Sequence, residues 1–161
     1  MNPIRKAYLQ IHVAIFFWGF TAILGDLISL NAMVLVWWRV LITSISLLFL
    51  INVGALIRRL PRKVFFQFCG IGVLIAVHWI TFFGSIKLAN ASIALICMAT
   101  TSLFTSFMEP VLTRRAFKWY EVIISLFIIP GMWLIVDSTE VGMQMGIWVG
   151  LSSAFLVSLF S

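Results

Sequence analysis

Three ionisable side chains lie inside long apolar runs of this chain: Arg39, His78 and Glu109. A charge inside a hydrocarbon environment is costly, so each needs a partner, a polar cavity or a function. Arg39, in Trp37-Trp38-Arg39, can anchor an anionic group of a small molecule, or it can bond helix-end carbonyls and extend its head to an interface. His78 can line a pathway and change protonation near neutral pH, or it can be a neutral imidazole bonded between helices. Glu109 lies a turn before Arg114-Arg115 and can pair with them or act as a proton-coupling carboxylate. Trp18, Trp79, Phe82 and Phe83 can wall an apolar pocket, although aromatics also fill ordinary bundles. Trp37, Trp38, Trp119 and His12 read as interfacial. Covalent chemistry is not expected. There are two His in 161 residues, no His-Glu-x-x-His, no Gly-x-Ser-x-Gly and no paired aspartates within the runs. The chain is therefore expected to be no enzyme and to need no cofactor or metal.

Those residues need elements that hold them at fixed depths. The chain is 63% hydrophobic and 10% charged, too few charges for a water-exposed surface, since soluble domains carry about 25%. The apolar runs predict membrane-spanning helices at 7–30, 32–56, 65–86, 91–113, 119–136 and 144–161. Their linkers alternate. Arg5-Lys6, Arg58 to Lys63 and Arg114 to Lys118 are basic. Asp26, Lys87 with Asn90, and Asp137 with Glu140 are acidic or weakly charged. Of 11 Lys and Arg, only Arg39 and Lys87 fall outside the basic set. This is the positive-inside pattern, and it predicts a cytoplasmic N-terminus. The formal charge of +6 therefore reads as cytoplasmic loops facing anionic lipid, not as nucleic-acid binding. The fold expected is all-α, a polytopic membrane bundle of antiparallel neighbours.

Two spans are unusual in composition. The fourth, Ala99-Thr100-Thr101-Ser102 through Glu109-Pro110, is rich in hydroxyls and should face protein or a polar cavity rather than lipid. The sixth opens with Gly142, Gly146 and Gly150, a small-residue stripe that predicts a close helix contact without naming its partner. Cys69 and Cys97 fall near opposite membrane faces and are expected to be free and buried. The sixth span ends at Ser161 without a charged anchor. This predicts that the natural chain continues and that the glycine face lacks its intended neighbours here.

Trp18-Gly19 in the first span, Trp37-Trp38-Arg39 in the second, the run His78 to Pro110, and Pro130-Gly131-Met132 in the fifth together resemble the EamA-type members of the drug/metabolite transporter superfamily. One departure is Arg114-Arg115, where that family often has Gly-Glu. The resemblance implies one five-helix repeat of an inverted-repeat transporter over 1–137, followed by a linker and the first helix of a second repeat over 138–161. It implies a multi-pass permease, in a bacterial inner membrane, that exports small amino-acid-like or drug-like metabolites by alternating access. Substrate is expected against Trp18, Arg39, His78, Trp79, Phe82 and Glu109, with Trp18, His78 and Phe82 facing one cavity. The expected partners are the lipid bilayer, a small-molecule substrate, and either a second repeat of the same chain or a homodimer partner. A dimeric half-size multidrug-type transporter and a non-transporting assembly subunit are the alternatives.

Overall fold

The computed structural model describes residues 2–136 and 141–160, and among them the regular structure is helical with no strand. Asparagine side chains cap helix starts. The Asn2 side chain accepts from the Ile4 amide at 3.1 Å and opens α1 (Pro3–Leu27). Asn31 accepts from Val34 at 2.9 Å and opens α2 (Ala32–Leu50). Asn90 accepts from Ile93 at 2.9 Å and opens α5 (Ala91–Ala99). Each cap satisfies an amide that has no partner inside its helix, worth about 1 kcal/mol.

The remaining elements are α3 (Val53–Arg59), α4 (Arg62–Leu88), α6 (Thr101–Thr113), α7 (Trp119–Leu126), α8 (Ile128–Val136), a 3₁₀ turn at Val141–Met143 and α9 (Gln144–Ser158). Four stretches are long and apolar enough to cross a membrane: Pro3–Leu27, Ala32–Leu50, Arg62–Leu88 and Ala91–Thr113. The fifth and sixth expected spans are shorter apolar helices, Trp119–Leu134 and Gln144–Ser158. Much of the exposed surface is large and apolar, as with Phe17, Phe49, Phe127 and Trp148. Water would drive such a surface to aggregate, whereas lipid tails solvate it. The all-α polytopic membrane bundle expected from composition is the fold observed.

Several ends shift by two to four residues, as in Pro3–Leu27 for 7–30 and Arg62–Leu88 for 65–86, and three expected spans are interrupted, each with a local cause. A single helix over 32–56 was the expectation. Instead Ile51 is extended and the Asn52 carbonyl accepts from Leu56, so a new helix, α3, begins at the residue type most inclined to start one. The 91–113 span is interrupted at Thr100, whose hydroxyl bonds the Cys97 carbonyl at 2.6 Å while its own amide also turns to Cys97. Such back-bonding competes with the helical ladder. The 119–136 span breaks at Phe127, whose amide bonds Ile124 three residues back. That break puts Pro130 in the first turn of α8, where a missing amide is tolerated. The acidic linker at 137–140 lies outside the described residues.

Arg114 ends α6 in the left-handed region, φ 55°, ψ 31°. Glycine enters that region freely, and a side chain there costs about 1 kcal/mol. This gives a physical reason for the glycine that the family resemblance places near this point. Arg115 then turns back, and its Nη1 donates to Glu109 Oε1 at 2.8 Å.

The ends of the bundle are tied together by Lys87. Its ammonium donates to the Asp26 carbonyl at 3.2 Å and to the Ile28 carbonyl, at the C-terminus of α1, where a cation is favoured. One core cluster lies at this end, Ala22, Leu35, Val36, Phe83, Ile86 and Ala94 from α1, α2, α4 and α5, and a second, Ile93, Cys97 and Ile147, joins α5 to α9.

The position of α9 was not foreseen. Its glycine face does not lack neighbours. It packs along α4 and α5. A Cβ at Gly146 would come within 2.6 Å of the Ala89 Cβ and 3.0 Å of the Ala89 amide nitrogen. One at Gly150 would come within 2.7 Å of Ser85 Oγ and 2.8 Å of the Cys97 Cβ. Gly142 has nothing within 4 Å and is not part of this contact. Ser85 Oγ donates to the Gly146 carbonyl at 2.7 Å, a bond that only this close approach permits. Cys97 is buried here; Cys69, expected to be buried, is exposed. Both thiols are free.

Candidate functional site

A cavity of about 300 Å³ opens between α1, α2, α4 and α5. From α1 come Thr21 and, on one face at spacings of three and four, Ile15, Trp18, Gly19 and Ala22. Arg39 comes from α2, His78, Trp79 and Phe82 from α4, and Leu95 and Met98 from α5. Five of the six residues expected to meet substrate thus share one cavity: Trp18, Arg39, His78, Trp79 and Phe82. Trp18 is 69% exposed and stands at the mouth, whereas His78 is buried at the back.

Arg39 is the charged group of this cavity. Its guanidinium carbon lies 4.5 Å from the Trp79 ring centre and 5.9 Å from that of Phe83. A cation over an aromatic face is worth about 0.5–2 kcal/mol. Among the described residues no carboxylate is paired with it. Stacking on Trp79 holds the guanidinium against the cavity wall, and its N–H donors are available to an anionic or carbonyl group entering the space. Phe83, one of the aromatics considered for the wall, is buried in the core instead and lies behind Arg39.

His78 reaches both the cavity and α9. It lines the cavity, and its Nδ1 lies 2.8 Å from Ser153 Oγ on α9 and 3.2 Å from the Ser153 carbonyl. Ser153 had not been singled out in the sequence. The signal was present, because residues 146, 150 and 153 fall on one helical face and share the close contact with α4.

Glu109 stands apart from the other five. It lines a separate groove of about 690 Å³ between α6 and α7, together with Thr101, Thr105, Ser106, Ser125 and Glu121. Its ion pair with Arg115 is the interfacial pairing considered for it. The groove's far side carries a second pair, Lys118 with Glu121 at 3.0 Å. The Glu121 carboxylate, first by hydrogen bond and then by charge, raises the Lys118 pKa. The hydroxyl-bearing residues of α6 line this groove. Among the described residues no group of three or more His, Cys, Asp and Glu is placed to hold a metal.

No curated protein and no solved structure matches the chain. The family description that does match is that of the EamA-like transporters, over residues 5–137. That segment contains every residue of the first cavity and, apart from Pro3 and Ile4, the four long apolar helices. A multi-pass bundle with a small-molecule-sized cavity, matched over most of its length by that description, belongs to the EamA-like transporter family and is a membrane transporter of small molecules.

Proposed function

We propose that substrate binds in the cavity between α1, α2, α4 and α5, and that the protein exports small amino-acid-like or drug-like metabolites by alternating access. The observation that carries this reading is the convergence of Trp18, Arg39, His78, Trp79 and Phe82, from three helices, on one space. The space offers aromatic walls, a guanidinium without a carboxylate partner among the described residues, and an imidazole. Such a set suits a molecule with an apolar body and an anionic or carbonyl group. Export, and a second repeat or second copy as the facing half, follow from the resemblance to inverted-repeat transporters.

Trp18 gives the cleanest test, because its exposure means that little of the fold rests on it. Trp18→Ala is expected to lower transport about three- to tenfold, the worth of one aromatic contact, at unchanged membrane abundance. His78→Ala is expected to lower both activity and abundance, since it also removes a bond to α9. Trp18→Ala transport equal to wild type would remove the mouth from the site.

The orientation follows from the basic linkers: the N-terminus, Arg58 to Lys63 and Arg114 to Lys118 face the cytoplasm, and the family resemblance supports a bacterial inner membrane. Single cysteines at positions 60 and 139, in a Cys69→Ser, Cys97→Ser background, are probed with a membrane-impermeant maleimide. Position 139 is expected to label from outside and position 60 only after the membrane is opened. The reverse pattern would invert the topology.

A further inference from the structure

We propose that Ser153, on α9, is a positioning residue for the cavity: it fixes His78 as the Nδ1–H imidazole, leaving the Nε2 lone pair as the ring's free hydrogen-bonding position. The inference rests on the cavity being the substrate site. Ser153 is fully buried and His78 is 9% exposed, so those of their polar atoms that turn away from the cavity must be satisfied within the protein. Ser153 Oγ lies 2.8 Å from His78 Nδ1 and 3.0 Å from the His78 carbonyl, and the Ser153 carbonyl lies 3.2 Å from the same Nδ1.

The carbonyls decide the proton positions. The Thr81 hydroxyl lies 2.9 Å from the His78 carbonyl and 3.0 Å from the Val77 carbonyl, so the His78 carbonyl leaves the choice open. The Ser153 carbonyl does not. A bare Nδ1 would set two lone pairs against each other at 3.2 Å, whereas an Nδ1–H donates to the Ser153 carbonyl and hydroxyl together. The Ser153 hydroxyl proton then goes to the His78 carbonyl, and each of the three contacts has one donor and one acceptor. The Phe82 and Phe160 rings, with centres 6.2 and 5.9 Å from that of the imidazole, flank it and hinder a flip. Among the described residues Nε2 has no hydrogen-bond partner. It offers an acceptor to an N–H or O–H of a bound molecule, in the same cavity where Arg39 offers donors.

Ser153 lies outside residues 5–137, the segment that the family description covers. A helix beyond that segment thus sets the chemistry of a side chain within it. The same hydrogen bonds pass any displacement of α9 to the cavity wall.

The test uses full-length protein in lipid bilayers, labelled with 15N-histidine, with His12→Gln used to assign the His78 signals. In the wild type Nδ1 is expected to carry the proton and Nε2 to be bare near neutral pH. An Nε2–H ring, or one protonated on both nitrogens, would overturn the proposal. Binding is read with a 14C amino-acid mixture, whose carboxylates and N–H groups match Arg39 and Nε2. Ser153→Ala is expected to weaken binding about tenfold, the worth of one buried hydrogen bond, and to let the Nε2–H ring appear. Ser152→Ala, whose hydroxyl among the described residues bonds only the Trp148 carbonyl of its own helix, is expected to change neither. His78→Asn keeps a donor where Nδ1 was and no group where Nε2 was, so it is expected to accumulate normally and lose binding. If Ser153→Ala fails to accumulate, the wild-type ring and His78→Asn still decide. Loss of binding in His78→Asn with none in Ser153→Ala would overturn the role of Ser153 alone. No loss in either, or no binding by the wild type, would overturn the cavity reading itself.

Discussion

Gly146→Val is expected to prevent α9 from docking and to remove most folded protein from the membrane. At Gly146 the first added carbon already meets the Ala89 Cβ at 2.6 Å and backbone atoms of Leu88 and Ala89 at 3.0–3.2 Å. Those atoms belong to the end of α4 and the turn into α5, which Asn90 holds by capping the next helix. Backbone cannot yield as a side-chain tip does, so the helices must separate. Overpacking of this kind costs about 1–3 kcal/mol, and the upper end is expected where backbone is struck. Separation also breaks the Ser85–Gly146 and His78–Ser153 bonds, so the cavity wall loses its support from α9. Gly150→Val should behave similarly, against Ser85 and Cys97. The control is Gly142→Val, where the added carbon meets nothing within 4 Å. Membrane abundance and thermal unfolding in detergent measure the effect. Equal stability of the 146 and 142 variants would mean that the α4–α9 contact does not hold the fold together.

Arg39→Ala is expected to give the largest loss of transport at preserved abundance, about 100-fold for a substrate with an anionic group, because hydrogen bonds to charged groups are worth about 1.5–3 kcal/mol. Arg39→Lys should recover part of it. The ammonium keeps the charge but lacks the planar fork, and it stacks less well on Trp79. A loss of about tenfold relative to wild type is expected for Lys. The measurement is uptake into, or efflux from, vesicles, normalised to protein. The opposing case is an arginine that serves only to reach the interface. It predicts that Ala and Lys differ in abundance and not in transport per molecule, and that result would remove Arg39 from the site.

The membrane class was legible in the sequence because it depends on composition and linear order alone. Long apolar runs and the segregation of Lys and Arg into alternate linkers hold in any packing of the helices. The asparagine caps at 2, 31 and 90 are similarly local, but only the starts at 32 and 91 were read correctly; the first helix begins at Pro3, four residues before the expected start. The cavity was partly legible. Trp18, Arg39, His78, Trp79 and Phe82 stood out as polar or aromatic groups within apolar runs, and the family pattern ordered them. That they share one space depends on which helix faces which, and a membrane-spanning sequence carries little of that information. Lipid tails are as apolar as a helix interior, so hydrophobicity cannot tell the lipid face from the protein face. Glu109 shows the limit. Its residue type matched the other candidates, but its ion pair with Arg115 and its place between α6 and α7 hold it in a separate groove. The partner of the glycine stripe was likewise undetermined until tertiary structure placed Gly146 and Gly150 against Ala89, Ser85 and Cys97. That contact brought Ser153 to His78. Two residues 75 positions apart meet only because two small residues let the α4 and α9 backbones approach, and shape complementarity of that kind is a property of the folded pair and not of either segment.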